Sequence, residues 1–485
     1  MPINSFLYPG PTNSNPYVVD NSCRFNNDSS DNLNRTPSSA SNRRTFTFST
    51  WFKLSGTDGS FISAGTDISN GPLFIIDILS GGNEGILRVE DTVSGDNVIG
   101  LRTNRVLRDI SAWMHLVVAI DTTQSTASDR VKVYINGTQE TSFGTETYCD
   151  QNLELSLNNT HEHRIGTRAA NTSGKFFDGY MCETVLVDGS ALAPTSFGEF
   201  DSDSPTIWKP KDVSGLTFGT NGWYLDFKAS ANLGNDANGG TDFGETGIAA
   251  ADQALDSPTN NFATWNSLYM PTDTAVTFSE GNCKVVSQNA SGKYWGAAST
   301  IGITAGKWYA EFEATSADNK PVFGIVGNPN KKAKDGDWIG EEADGYGYVA
   351  DGGKYNNNTE NASWGSTFTA GDVISVAVDI TNLKIYFAKN GTWQDSGDPT
   401  SGATGTGAAF TILTPTSSSV HDNAYFFACS DQSTGGDTMS ANFGGCPAFS
   451  ISSGNADANG YGNFEYSVPS GYLALCTKNL GSDGG

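Results

Sequence analysis

The stretch Gly371–Trp393 reads GDVISVAVDITNLKIYFAKNGTW. Val373, Ser375 and Ala377 alternate with Ile374, Val376 and Val378, an apolar run that buries both faces. After a polar turn, Asp379 to Asn382, the residues Leu383, Ile385 and Phe387 point one way and Lys384 and Tyr386 the other. That is the period of two required by a strand. Asn390-Gly391 closes the unit with a dipeptide that tolerates positive φ. The reading is a β-hairpin.

The same plan occurs earlier. Trp113–Thr138 runs through an apolar segment (Leu116–Ile120), Asp121, a polar turn, alternating Val131, Val133 and Ile135 against Lys132 and Tyr134, then Asn136-Gly137-Thr138. Two copies so far apart predict two separately built β-domains of related design.

Working outward, the 485 residues suffice for several domains with real cores. Lys and Arg number 28 against 53 Asp and Glu, a net charge of −25. That excess opposes a phosphate backbone or an anionic lipid surface, so neither nucleic acid nor membrane insertion is expected. The 56 glycines, with Asn, Ser, Thr and Asp between apolar runs, suit many short strands joined by turns. Seven cysteines without a CxxC pair imply buried thiols rather than a disulfide framework. Met1–Gly10 lacks a basic and a continuous apolar region, so no signal peptide is expected and synthesis in a reducing cytoplasm fits.

In chain order, residues 1–20, rich in Pro and Asn, read as an extended arm. Strands are expected at Cys23–Phe25, Arg44–Leu54, Leu73–Leu79, Ile86–Val89, the earlier hairpin, His163–Gly166 and Glu183–Val187. Residues 206–265, with the small-residue stretch Leu233–Thr246, read as an irregular connector unable to hold a core. Alternation resumes at Ala275–Phe278, Lys307–Glu313, Val322–Val326, Tyr346–Val349, the later hairpin, Tyr425–Cys429 and Met439–Phe443. No heptads set an oligomeric state.

FTFSTWFKL (46–54), WMHLVVAID (113–121), VKVYING (131–137) and FDGY (177–180) resemble a laminin-G-like, concanavalin A-like domain, spanning 21–205. GKWYAEFE (306–313), GYGYVADG (345–352), the opening hairpin and ANFG (441–444) resemble a SPRY domain, spanning 266–480. Both resemblances imply a bent two-sheet sandwich, so the expected fold class is all-β, two concanavalin A-like jelly-roll sandwiches. LDSPTNNFATWN (255–266) and VPSGYLALCTKNL (468–480) are similar to phrases in tailed-bacteriophage proteins, and the pairing is similar to their virion-surface proteins.

Catalytic patterns are sparse. Glu199-Phe-Asp201 and Glu342-Ala-Asp344 are the nearest approaches to a glycosidase strand, and each lacks the second glutamate. His161-Glu-His163 places two imidazoles on one strand face, with Cys149 and Cys182 as the nearest further donors; zinc needs three or four ligands, and an exposed polar strand end is expected instead. Asn455–Gly460 opens like an EF-hand loop, but Tyr466 stands where a bidentate glutamate belongs, so a polar turn is expected. The laminin-G resemblance implies one calcium ion at a loop edge; Asp58, Asp67, Asp121 and Asp178 are available, and no spacing singles one out.

Aromatic and amide-rich loops are plentiful. Trp338, Lys354, Tyr355, Asn356, Asn357 and Trp364 form the candidate ligand-binding set, with Tyr355 and Trp364 expected exposed and Tyr346 and Tyr348 in the core. The expected function is a non-enzymatic phage virion surface protein, a tail fibre or other appendage. It would bind host cell-surface glycan or outer-membrane protein and assemble as a homo-oligomer with other virion proteins. The rivals are a structural capsid decoration or tail component without host binding, and a polysaccharide depolymerase.

Overall fold

The computed structural model describes residues 17–483 apart from 67–70, 94, 170–174, 270, 272–275 and 319. The fold is mostly β, in two sandwiches. In the first, one sheet has eight strands. Thr138–Gln139, Val131–Ile135, Met114–Asp121, Thr45–Leu54, Gly179–Asp188, Ser22–Phe25 and Gln253–Ala254 follow in that order, and Trp223–Leu225 pairs with Gly179–Asp188. The facing eight-stranded sheet runs from Phe143–Thr147 through Asp96–Val106, Ile86–Val93, Leu73–Ile78, Gly59–Gly65, Glu162–Ile165 and Asn32–Arg35 to Gly244–Thr246. Phe46, Phe48, Leu116, Val118, Phe74 and Leu101 fill the space between.

The second sandwich pairs a nine-stranded sheet, centred on Lys307–Ala314, Val373–Asp379 and Lys384–Lys389, with a six-stranded one. The latter runs Trp295–Ala298, Phe426–Asp431, Pro321–Val326, Gly345–Val349, Lys354–Asn356, Thr359–Asn361. Trp265, Phe312, Phe323, Val376, Ile385 and Phe387 share its core. Leu383 does not begin the strand as its alternation suggests: it sits in the turn at φ 57°, and pairing starts at Lys384.

The two hairpins match atom for atom at their ends. Asn136 and Asn390 have φ of 48° and 47°, followed by Gly137 and Gly391 at 75°. In the first, the Asn136 amide N–H donates to His115 O (2.9 Å) and its Oδ1 accepts from His115 N (2.8 Å). In the second, Asn390 N–H donates to Val373 O (2.8 Å) and its Oδ1 accepts from Val373 N (2.9 Å). The asparagine side chain thus stands in for one further rung of the ladder, which is why the repeat extends to this residue.

The stretch expected as a connector proves otherwise. Its residues Trp223–Leu225, Gly244–Thr246 and Gln253–Ala254 extend the sheets of the first sandwich. Leu233 and Phe243, inside the small-residue segment, are buried in its core. Small residues allow the chain to approach closely while two large side chains anchor it. Phe197, Val213, Phe218 and Tyr224 cover the outer face of the hairpin sheet, against Val117, Val185 and Val187. The second sandwich repeats the arrangement: Phe464, Tyr472, Ala474 and Cys476 cover Tyr309, Ala377 and Tyr386. Of the expected N-terminal arm, residues 1–16 lie outside the described residues. Val19 is buried, and Tyr17 donates to the buried Glu183 (3.0 Å), so the last part of the arm is packed.

The sandwiches meet through buried polar groups. Lys53 Nζ donates to Asp256 Oδ2 (2.8 Å), Asn261 Oδ1 (2.7 Å) and Phe262 O (2.8 Å). Arg24 bridges Asp252 and Glu280, each at 2.9 Å. Tyr180 donates to Gly281 O (2.9 Å). The segments 255–266 and 468–480, far apart in sequence, bind each other here: Ala263 N donates to Leu475 O (3.0 Å) and Thr477 N to Asn261 O (2.9 Å). All seven cysteines are free and buried.

Candidate functional site

The six-stranded sheet ends in a short hairpin, Lys354–Asn356 paired with Thr359–Asn361, turning at Asn357 and Asn358, both at positive φ. Its tip is tied down by Asn357 N to Glu342 O (3.1 Å) and Asn358 N to Gly340 O (2.9 Å). Beside it lies an open depression of about 310 Å³, lined by Lys354, Asn356, Asn357, Glu360, Asn361 and Phe410. Phe410 arrives from a strand paired to Lys384–Lys389 of the other sheet. Nothing in the local sequence of 354–364 points to it, and it was not among the expected site residues.

Three expected residues line this depression, and two of them are already engaged. Lys354 Nζ donates to Ala409 O (2.7 Å) and sits 4.9 Å from the Trp364 ring centroid and 5.2 Å from that of Phe410. Burial lowers its pKa, and Asp395 opposes the shift. Asn356 Nδ2 donates to Ala343 O (3.0 Å) and Gly345 O (2.8 Å). The exposed side chains of Asn357 and Asn361 are free of partners among the described residues. Trp364 borders the site through Lys354 but is half-buried, edge-on to Tyr348 at 5.5 Å. Tyr355 and Trp338 depart from expectation: each is 7% exposed, and they pack edge to face at 4.9 Å beneath the hairpin. The strand alternation turns Tyr355 inward, so neither ring offers a face for stacking. Tyr346 and Tyr348 are buried in the core, as expected.

In each carboxylate pair considered for catalysis at least one member is held by neighbouring groups among the described residues. Asp201 caps a turn, accepting from Asp203 N (2.9 Å) and Ser204 N (3.0 Å), and it shares Lys209 with Glu199. Burial raises Asp344; in Glu342 burial is outweighed by Lys331 and Lys332, which hold it low. The two carboxyls are therefore pushed apart, but one is sealed inside and the other spent on lysines. A serine–histidine pair that the sequence did not reveal, Ser49 Oγ to His115 Nε2 (2.9 Å), is also inert. Trp208 Nε1 donates to His115 Nδ1 (2.9 Å), which leaves the proton on Nε2, so the imidazole donates to the serine and cannot take its proton. Burial pushes His115 down to about 3.

Metal donors are likewise committed. His163 is buried, not at an exposed strand end; its Nδ1 donates to His161 O (2.9 Å) and its Nε2 accepts from Asn158 N (3.1 Å). Asp457 of the EF-hand-like turn accepts from Asn459 N, Tyr461 N, Ala474 N and Asn479 Nδ2. Asp121 accepts from Thr123 and Gln124, and Asp58 pairs with Lys175 (3.0 Å). Asp178 Oδ1 is buried without a partner, and Asp67 lies outside the described residues. Among the described residues no three His, Cys, Asp or Glu side chains converge on a metal position.

Family models match parts of both sandwiches. A family model described as the concanavalin A-like lectin/glucanases superfamily matches residues 27–195, and a SPRY domain model matches 307–424. The chain carries a concanavalin A-like domain and a SPRY domain. Among solved structures it is similar to the SPRY domain of human HERC1 (17% identity, 36% of this chain and 94% of that one, TM-score 0.26). It is also similar to a Bacteroides ovatus protein named as carbohydrate-binding (16% identity, 48% of this chain and 60% of that one, TM-score 0.31). A third is the SAP-like pentraxin of Limulus polyphemus (16% identity, 37% and 80%, TM-score 0.27). No curated protein sequence matches the chain.

Proposed function

We propose that this chain is a non-enzymatic binding protein of a tailed-bacteriophage virion surface, made in the host cytoplasm, whose SPRY domain engages a host cell-surface glycan. The observation that carries the binding role is the hairpin depression. There, Asn357 and Asn361 present free amides beside Phe410, on a frame held rigid by Lys354 and Asn356. Rigid amide donors and acceptors beside an aromatic ring suit saccharide hydroxyls and the apolar face of a sugar. The phage assignment rests on the resemblance of segments 255–266 and 468–480. Those segments form one hydrogen-bonded unit at the joint. Assembly with other virion proteins into an oligomer would multiply weak contacts into avidity.

The test is retention of the purified protein on immobilised host polysaccharide and outer-membrane extract. The double variant Asn357→Ala/Asn361→Ala is expected to lose about tenfold in affinity through its missing hydrogen bonds. No retention of the parent protein on either surface overturns the reading.

A further inference from the structure

We infer that the concanavalin A-like domain carries a second, independent ligand site, for a neutral saccharide, at the tip of its own hairpin. The site is built around Trp208. Gly137 at the tip and Gly198 on the covering ribbon (Gly198–Phe200 paired with Trp208–Pro210) leave the slot this indole occupies. A Cβ on either glycine would fall 2.5 or 2.6 Å from the ring. His115 accepts the indole N–H and lies nearly parallel to it at 6.0 Å, and Trp51 stacks on the imidazole at 4.6 Å. Trp208 is thereby fixed, and Phe200 packs edge-on against it at 4.8 Å while remaining 47% exposed. Trp113 forms another wall of the resulting 290 Å³ depression.

Around these rings stand polar groups with unspent capacity. Arg105 uses Nε on Glu140 (2.7 Å), and its two terminal nitrogens have no partner among the described residues. Asn136 spends Oδ1 on His115 N, leaving its Nδ2 free among the described residues. The hydroxyls of Thr138 and Thr206 are exposed and likewise unpartnered. An exposed phenyl face ringed by two hydroxyls, an amide and a guanidinium is complementary to a pyranose, whose apolar face stacks while its hydroxyls are bonded. Glu140 offsets the Arg105 charge, and the chain's net −25 opposes a polyanion, so the ligand class is neutral.

The experiment is a binding screen of the full chain against neutral oligosaccharides and uronic-acid oligosaccharides. Phe200→Ala and Arg105→Ala, both at exposed side chains, are made in the Asn357→Ala/Asn361→Ala background, which disables the SPRY depression, and folding is checked by circular dichroism. The inference expects neutral ligands still to bind the background protein, with a further loss of about tenfold or more when either change is added. Neutral binding unaffected by Phe200→Ala, or binding of uronic-acid ligands alone, overturns it. Because the background removes the contacts of the other depression, failure of one site is distinguishable from failure of the other.

Discussion

Lys53 is the place to test whether the two domains are mechanically one unit. Its ammonium and the Asp256 carboxylate are each 1% exposed, 2.8 Å apart, and Asp256 also accepts from Trp113 Nε1 (2.8 Å) and Phe262 N (3.2 Å). Lys53→Met keeps most of the side-chain volume but removes the cation and three hydrogen bonds. The carboxylate is left buried with two neutral donors. Breaking a buried pair from one side costs about 3–5 kcal/mol. The pair links a strand of the first sandwich to the segment that enters the second, so the loss falls on the joint. Urea unfolding followed by tryptophan fluorescence reads it. The parent is expected to unfold in one transition, and Lys53→Met earlier and in two. Lys53→Met/Asp256→Leu, which removes both charges, is expected to recover much of the loss. A loss in Lys53→Met below about 1 kcal/mol would mean that solvent reaches the pair, and the rigid joint would have to be abandoned.

Two further predictions follow from the same contacts. Burial pushes Asp91, Asp178, Glu183 and Asp431 up to about 7 and Asp31 up to about 6, whereas His115 and His163 go down to about 3 and about 4. The raised acids keep protons that the unfolded chain releases, so their stabilisation is complete at low pH and is lost as pH rises through 7; the histidines act oppositely below 6.5, but they are fewer. Stability is therefore expected to fall from about pH 5 to pH 8, and Asp91→Asn to flatten that slope by up to about 1.4 kcal/mol per pH unit in chemical denaturation. Asn136→Ala and Asn390→Ala each lose one hydrogen bond to a backbone N–H and place alanine at positive φ, so both are expected to cost about 2 kcal/mol by thermal or urea unfolding. A large disparity between them would refute the equivalence of the two hairpins.

What the sequence made legible is what repeats locally. The hairpins announce themselves because alternation and Asn-Gly are properties of neighbouring residues. Gly59–Gly65, GSFISAG, is a buried central strand that composition conceals, since small residues carry little apolar signal. Leu233 and Phe243 are isolated among small polar residues, and only the three-dimensional path brings them to the core. The candidate sites were less legible for the same reason. Tyr355 looked exposed and Trp338 looked like a ligand contact because their loops are polar, yet each faces the other. Phe410 reaches the depression through pairing with a strand of the opposite sheet. Trp208 lies in the stretch read as a connector and Phe200 just before it, and their role depends on Gly137 and His115, far from them in the chain.

The repeated hairpin also supplies an internal control for the second ligand site. Both tips are capped by an aromatic residue from the segment that covers the sheet. Trp208 fits against Gly137, and Tyr466 lies against Gly391, where a Cβ would fall 2.6 Å from its ring. The backbone geometry and the Oδ1 hydrogen bond are the same in each. The difference is in what remains to be spent. Asn390 Nδ2 donates to Asp372 Oδ1 (2.7 Å), closing the second tip, whereas Asn136 Nδ2 is left facing a depression walled by Trp113 and Phe200. One scaffold thus appears once with its polar capacity consumed and once with it open. Alanine at either asparagine should cost similar stability, but only the change at Asn136 should weaken neutral-saccharide binding. Equal effects on binding would show that the tip acts through the fold rather than by touching a ligand.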